Sequence, residues 1–490
     1  MDIIDAFLIK CKEHPETFAV LQTGVNVSFQ SLKYLSECIS KELGLRAGNK
    51  PKVLIAIEPS HYAYAAMIGT LMSGGTFSAL DIKGPLQRNT EIVQAFSPDI
   101  ILYENTIPEA LNDEINVKPS IKISNLTVGD SYNVVPSAEK NKAAYVVFTS
   151  GSTGKPKGVS IGREAFSYFV EISQNYFKLK EGEKWAQYSN IGHDLAIMDV
   201  FMCLCNGGTL VVLSSESDKL MPAKAIRKHN INIWQSVPSV LNLMIRYGKL
   251  KENLKSLRIM SFCGEPLLPG QLDTLFTDCP DIVVYNTYGA TETTGFNTLN
   301  YLTKDNYKQS CEYHTVALGD NVPGWEVALG NNGEGEIVVH SENLSLGYWN
   351  DPNMTKLKFH NVDRDGNLLS VYKTGDIGIN INGKLYCKGR TDRQVKIKGE
   401  RIELDEIDYR LRETGCKASV SVKYDDAIIS FVETDASVDE DNLRDKLSKV
   451  LSFHSVPKKI IKVDEIPINQ NGKTDYSELN KRAAKIENAG

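Results

Sequence analysis

Short apolar runs alternate with helical stretches that stop at glycines, and this rhythm restricts the chain to parallel sheets covered by helices. VLIAIEP from Val53 ends in turn residues, HYAYAAMIGTLMSGG has helical spacing and stops at Gly74 and Gly75, and TFSALD and PDIILYE read as strands. The pattern returns in GGTLVVLSS, AKAIRKHNINIWQSVPS and LKSLRIMSFCGE. From about Gly333 the texture changes. GEIVVHSE, NLLSVYKT, IGINING and KLYCKGR are short alternating runs with glycine punctuation, which predicts antiparallel hairpins. A charged stretch, TDRQVKIKGERIELDEIDYRLRE, follows Arg390 with strand and then helix character. The expected fold is α/β. A large N-terminal domain of several subdomains, residues 1–391, carries the parallel sheets and a small antiparallel part. A small α+β domain, residues 392–490, follows a boundary at Asp392.

Composition sets outer limits. The chain has 490 residues, 42% of them hydrophobic, which is too long for one compact domain. A net charge of −6 argues against nucleic-acid binding, which needs a basic face. The nine cysteines form no CxxC pair, and Cys203 and Cys205 stand too close for good metal spacing, so a reducing cytoplasm is expected. The opening MDIIDAFLIKCKEHPE has early acids and no long apolar core, unlike a secretory leader. The most apolar stretch, Ala63 to Leu80, is interrupted by Gly69, Gly74 and Gly75 and reads as a buried helix running into a strand, with no membrane insertion expected.

The densest chemical signal is TSGSTGKPKG, Thr149 to Gly158, directly after the apolar run AAYVVF. Glycines let backbone N–H groups approach a ligand closely, hydroxyls donate to phosphate oxygens, and lysine offsets charge. The spacing is not that of a Walker A loop.

TSGSTGKPKG resembles the phosphate loop of the adenylate-forming superfamily, which includes acyl-CoA synthetases, luciferases and the adenylation domains of peptide synthetases. Further segments fall in the family's order. NTYGATETT from Asn286 is similar to its adenine-and-magnesium segment, YKTGD from Tyr372 to its ribose segment, GRTDRQVKIKGERIELDEID from Gly389 to its hinge, and NGKTD from Asn471 to the segment bearing a catalytic lysine. GTLMSGGTFSALD resembles a structural element near the N-terminus, although Lys83 and Gly84 depart from its usual end. The resemblance spans nearly the whole chain.

What it implies is specific. ATP would be held by Thr149, Ser150, Gly151, Ser152, Thr153, Gly154 and Lys157 of the loop, by Asn286 and Tyr288 around adenine, by the phosphate donor Thr291, and by Asp376 and Arg390 at the ribose. Glu292 would hold Mg²⁺, a hard ion that prefers oxygen ligands. Ala290 replaces a more frequent proline. Lys473 would be catalytic: one ammonium between the substrate carboxylate and the α-phosphate stabilises charge that concentrates in the transition state. Asp392 would be the hinge about which a mobile C-terminal lid rotates, withdrawing Lys473 and bringing Gly399 over the site for a pantetheine arm.

The acid is read from NIGHDLAIMDVF, Asn190 to Phe201, which resembles the segment of amino-acid adenylation domains where an Asp pairs with the substrate ammonium. Asp194 matches that position, and His193 replaces a common phenylalanine. The remaining pocket positions are Leu195, Met198, Gln235, Ser261, Cys263, Thr287, Gly295 and Phe296. DLxxMD and FCGE look most like ligases that load D-alanine onto a carrier protein, with the cysteine helping to select the D-enantiomer, while Gln235, Ser261 and Phe296 depart from that group. No carrier module is expected after Lys473, so the thiol acceptor would come in trans. The expected function is ATP-dependent activation of a small amino acid, D-alanine favoured, and transfer to the phosphopantetheine thiol of a separate carrier protein. The rivals are a CoA ligase of the same superfamily and a non-catalytic nucleotide-binding scaffold.

Overall fold

The computed structural model describes the chain apart from residues 107–110, 112–117, 127–142, 151–154, 331–332, 365–366, 435–438, 468–473 and 489–490. Two compact units form: Met1–Ile82, Phe96–Val147 and Gly158–Thr391 make the first, and Lys83–Ala95, Phe148–Lys157 and Asp392–Gly490 the second.

In chain order the first fifteen strands are Phe18–Gln22 (β1), Val25–Ser28 (β2), Lys52–Ala56 (β3), Thr76–Ala79 (β4), Ile100–Tyr103 (β5), Ser120–Lys122 (β6), Ala143–Thr149 (β7), Lys157–Gly162 (β8), Lys184–Gln187 (β9), Thr209–Val212 (β10), Ile233–Ser236 (β11), Ile259–Phe262 (β12), Val283–Tyr288 (β13), Thr298–Leu302 (β14) and Asp320–Asn321 (β15). One sheet has the order β15-β14-β13-β12-β11-β9-β10-β1-β2 and another β6-β5-β3-β4-β7-β8. The strands from β13 through β12, β11, β9 and β10 to β1 run parallel, and antiparallel strands close both edges. This is the mixed α/β fold that the sequence rhythm predicts. The central strands β11 and β12 are buried on both faces, so they read as continuous rather than alternating burial.

The helix Asp194–Leu204 packs on β9 and β10. On that face Trp185, Ile233, Ile259 and Tyr285 join one core with Met198 and Phe201, while Trp234, Met260, Phe262 and Val284 join a second core on the other face. The predicted hairpins appear as an antiparallel sheet of Glu326–Leu329, Glu334–Ser341, Phe359–Arg364, Asn367–Ile381 and Lys384–Arg390.

In the second unit, the strands Gln394–Ile397 and Glu400–Glu403 form a hairpin leading into the helix Leu404–Glu413. Ile397, Ile402, Leu404, Ile407 and Leu411 share its core. Arg393 fixes the start of this segment: its guanidinium donates to Asp405, to Asp408 Oδ2 at 2.6 Å and to the Ser421 carbonyl at 2.6 Å. Among the described residues no helix is long and apolar enough to cross a membrane.

Candidate active site

The last strand of the parallel run, β13, places Asn286 and Tyr288 in the first unit. Asn286 Nδ2 donates to the Ala317 carbonyl at 2.9 Å, which fixes its amide. Tyr288 donates its hydroxyl to Asp376 Oδ2 at 2.6 Å. Arg390 Nη1 donates to Asp376 Oδ1, and Nη2 to the Thr374 carbonyl at 3.1 Å. Asp376 and Arg390 are direct cross-strand partners, so the antiparallel register builds this pair. Burial, with the Asp376 carboxylate beside it, pushes the Tyr288 hydroxyl pKa far up. Each carboxylate oxygen accepts more than one hydrogen bond, so an Asp376 oriented by Tyr and Arg can still take a vicinal diol.

A second cluster forms where Asp194 opens the helix Asp194–Leu204. A carboxylate in a first turn lies at the positive end of the helix dipole. The Leu195 N–H donates to Asp194 Oδ1 at 2.8 Å, and the Thr291 hydroxyl to Oδ2 at 2.6 Å. The expected ammonium partner and the expected phosphate donor therefore hold each other. Glu292, 0% exposed, accepts the Tyr348 hydroxyl on Oε1 at 2.8 Å.

The strand ends below are tied together. Thr287 Oγ1 donates to the Phe262 carbonyl at 2.9 Å, and the Cys263 N–H to the Ser236 carbonyl at 3.2 Å. Gly295 has a φ of +86°, and a Cβ there would sit 2.4 Å from the Phe169 ring, so only glycine fits. Phe296 is locked edge-on against Phe169 at 4.9 Å between ring centres, with Tyr176 and Phe177 nearby. Met198 is buried in the core beneath the helix, Leu195 is half-buried, and His193 precedes the helix without a side-chain cap bond.

The remaining expected residues are placed elsewhere. Thr149, Ser150, Lys157 and Asp392 belong to the second unit. There the Ser150 hydroxyl donates to the Arg401 carbonyl, Lys157 Nζ lies 3.6 Å from Glu403 Oε1, and the Gln394 N–H donates to Asp392 Oδ1 at 3.3 Å. Thr149 Oγ1 lies 3.5 Å from the Lys157 carbonyl. Gly399 has a φ of +84°. Gly151, Ser152, Thr153, Gly154 and Lys473 lie outside the described residues.

Sequence reasoning missed three supports of this site. Tyr348 orients Glu292 from far along the chain, and Phe169 backs Gly295; neither has a local signal. The third is Asp199. DLAIMD offers two acids, and their surroundings separate them: Asp199 is 0% exposed and accepts the Trp185 indole N–H on Oδ1 at 2.9 Å. Burial raises its pKa well above the ordinary carboxylate range. The folded protein therefore holds a proton that the unfolded chain releases near pH 4, and stability declines as pH rises through that value towards the folded pKa. Asp199→Asn mimics the protonated acid. Thermal melts from pH 5 to 8 should show the variant matching or exceeding the parent at the high end with a flatter profile, and Asp199→Ala melting lower throughout. A steeper decline for Asp199→Asn would show that the acid is ionised.

Comparison with known proteins fits this geometry. Residues 7–349 match the family described as AMP-binding enzyme. The D-alanine–D-alanyl carrier protein ligase of Staphylococcus epidermidis is 30% identical over 497 residues, covering 98% of this chain and 98% of that protein. Its namesake in Staphylococcus aureus is 30% identical over 496 residues, with the same 98% coverage of each. The adenylation domain AlmE of Vibrio cholerae, solved with glycyl-adenosine-5'-phosphate, shares the fold with a TM-score of 0.86 at 24% identity, covering 99% of this chain and 98% of that one. With a family match over most of its length and full-length ligase relatives, the chain belongs to the AMP-binding enzyme family and is an AMP-forming ligase.

Proposed function

We propose that this ligase activates a small amino acid, with D-alanine the first candidate, and passes it to the phosphopantetheine thiol of a separate carrier protein. The named activity of the curated relatives supports both halves of the reading. Asp194 is the observation that carries the amino-acid assignment. A carboxylate at the mouth of the pocket, held only by a neutral hydroxyl and a backbone N–H in the hydrogen bonds described, suits an α-ammonium group. An acid without an amino group would gain nothing from it.

In the first step a substrate carboxylate oxygen attacks the α-phosphorus of ATP, the bond to the β-phosphate bridge breaks, and pyrophosphate leaves. Asp376, oriented by Tyr288 and Arg390, takes the ribose hydroxyls. Asn286 reads adenine, and Tyr288 faces it. Thr291 exchanges Asp194 for a phosphate oxygen when the ammonium arrives. The loop Thr149–Gly158 and Lys473 neutralise phosphate and transferring charge. Glu292 fits Mg²⁺ by chemistry, a hard carboxylate oriented by Tyr348. When bound, the ion would offset phosphate charge. In the second step a pantetheine thiolate attacks the acyl carbon and AMP leaves. Residues 392–490 act as the lid, with Asp392 as hinge and Gly399 beside the incoming arm. Nine cysteines with no disulfide among the described residues suit a reducing cytoplasm, where ATP is supplied.

The test is acceptor choice after activation: thioester should form on a carrier protein at least about tenfold faster than on free coenzyme A, a factor worth roughly 1.4 kcal/mol. Equal or faster loading of coenzyme A would make this an acyl-CoA ligase. Cys263 addresses chirality. It follows β12 beside the pocket, so Cys263→Ala should lower the ratio of kcat/KM for the preferred over the rejected alanine enantiomer. An unchanged ratio would remove Cys263 from selectivity.

A further inference from the structure

The residue after the proposed hinge Asp392 reaches the far end of the chain. Arg393 donates to Asp405, to Asp408 Oδ2 and to the Ser421 carbonyl, so the helix Leu404–Glu413 and the strand Ala418–Tyr424 hold its guanidinium still. Hydrogen bonds of a guanidinium lie in its plane and leave its faces open. The guanidinium carbon lies over the ring of Tyr476, 5.1 Å from the ring centre, within the range of a cation–π contact. Tyr476 opens the helix Tyr476–Asn488, whose Leu479 and Ala483 are buried against Val420, Val422 and Phe431. Just before it, Asp475 accepts the Glu478 N–H on Oδ1 at 3.0 Å and donates its own N–H to the Pro467 carbonyl at 2.7 Å. Pro467 and Asp475 flank Lys473 in the chain, and this bond holds them together. Arg393, Pro467, Asp475 and Tyr476 all belong to the second unit.

We infer that Arg393 and Tyr476 are positioning residues for Lys473: their stack joins the hinge to the base of the lysine segment, so that a turn at Asp392 moves both as one body. This rests on the lid reading above and names the contact that carries the turn. Lys473 works only when it meets the attacking carboxylate and the α-phosphate together, and a misplacement of about 1 Å can cost on the order of 100-fold in rate. Without the stack, Leu479 and Ala483 still seat the helix, but its first turn is released from the residue beside the hinge. The loss then falls on the step that needs the lysine and spares the step from which the lysine is withdrawn.

The experiment replaces Tyr476 in the full chain with leucine, which has no π face, and with phenylalanine, which keeps one. Tyr476→Leu should lower kcat for amino-acid-dependent pyrophosphate exchange by about tenfold, with KM for ATP and for the amino acid nearly unchanged. Transfer from synthetic adenylate to a carrier protein should stay within about twofold of the parent, a split that a merely structural contact would not produce. Tyr476→Phe should match the parent in both half-reactions. Adding Arg393→Lys, which keeps a charge for Asp408 but has no flat face, to Tyr476→Leu should cost far less exchange than the two single losses multiplied. Parental exchange by Tyr476→Leu, equal losses in both half-reactions, or fully multiplied losses in the double variant would each overturn the inference. Lys473→Ala separates it from the reading it rests on. If Lys473→Ala loses exchange selectively while Tyr476→Leu does not, the inference alone fails; if Lys473→Ala also keeps exchange, the lid reading fails with it.

Discussion

Replacing Lys473 with alanine will cut adenylate formation by at least about 100-fold, the scale of losing a preorganised partner for transition-state charge. The attacking carboxylate and the α-phosphate are both anions, and no other lysine of the matched segments falls in the NGKTD position. Thioester formation from preformed adenylate should fall far less, because in the proposed lid rotation the lysine has left the site by that step. The two half-reactions are measured separately, by pyrophosphate exchange and by transfer from synthetic adenylate. Equal losses in both would contradict alternation by the lid.

Asp194→Asn will weaken amino-acid use by several kcal/mol, roughly 3–5 by analogy with breaking one side of a buried ion pair. That corresponds to two to three orders of magnitude in kcat/KM, at about 1.4 kcal/mol per tenfold. The amide keeps the volume and can still accept from Thr291, so the loss isolates the charge. The KM for ATP should move little, since the cluster proposed to hold the nucleotide, Tyr288 with the cross-strand pair Asp376 and Arg390, does not include Asp194. A comparable loss in ATP affinity would mean that Asp194 serves the nucleotide through Thr291.

Much of the architecture is legible in the sequence because burial on both faces leaves a strong local signature. HYAYAAMIGTLM forms the helix His61–Met72, TFSA forms β4, and the glycine-punctuated runs after Gly333 pair antiparallel. Strand order is not legible: β1 lies beside β10, with Val20 opposite Leu210, a pairing between segments far apart in the chain that no local pattern encodes. The site divides in the same way. Asp376 and Arg390 are found from their segments, but their mutual grip depends on strand register. Asp194 and Asp199 are alike in sequence; only the fold separates them, with Asp199 fully buried against the Trp185 indole and Asp194 half-buried against the Thr291 hydroxyl. Gln235 and Ser261 are legible as departures from the D-alanine pattern, whereas their adjacency appears only in the fold.

The central claim is that this enzyme adenylates an amino acid and requires its amino group. Pyrophosphate exchange measured side by side with alanine, serine and propionate tests it most directly. The account predicts exchange with the amino acids and, with propionate, a rate at least about 100-fold lower, the loss expected when Asp194 finds no ammonium partner. Propionate supporting exchange as well as alanine and serine would contradict it.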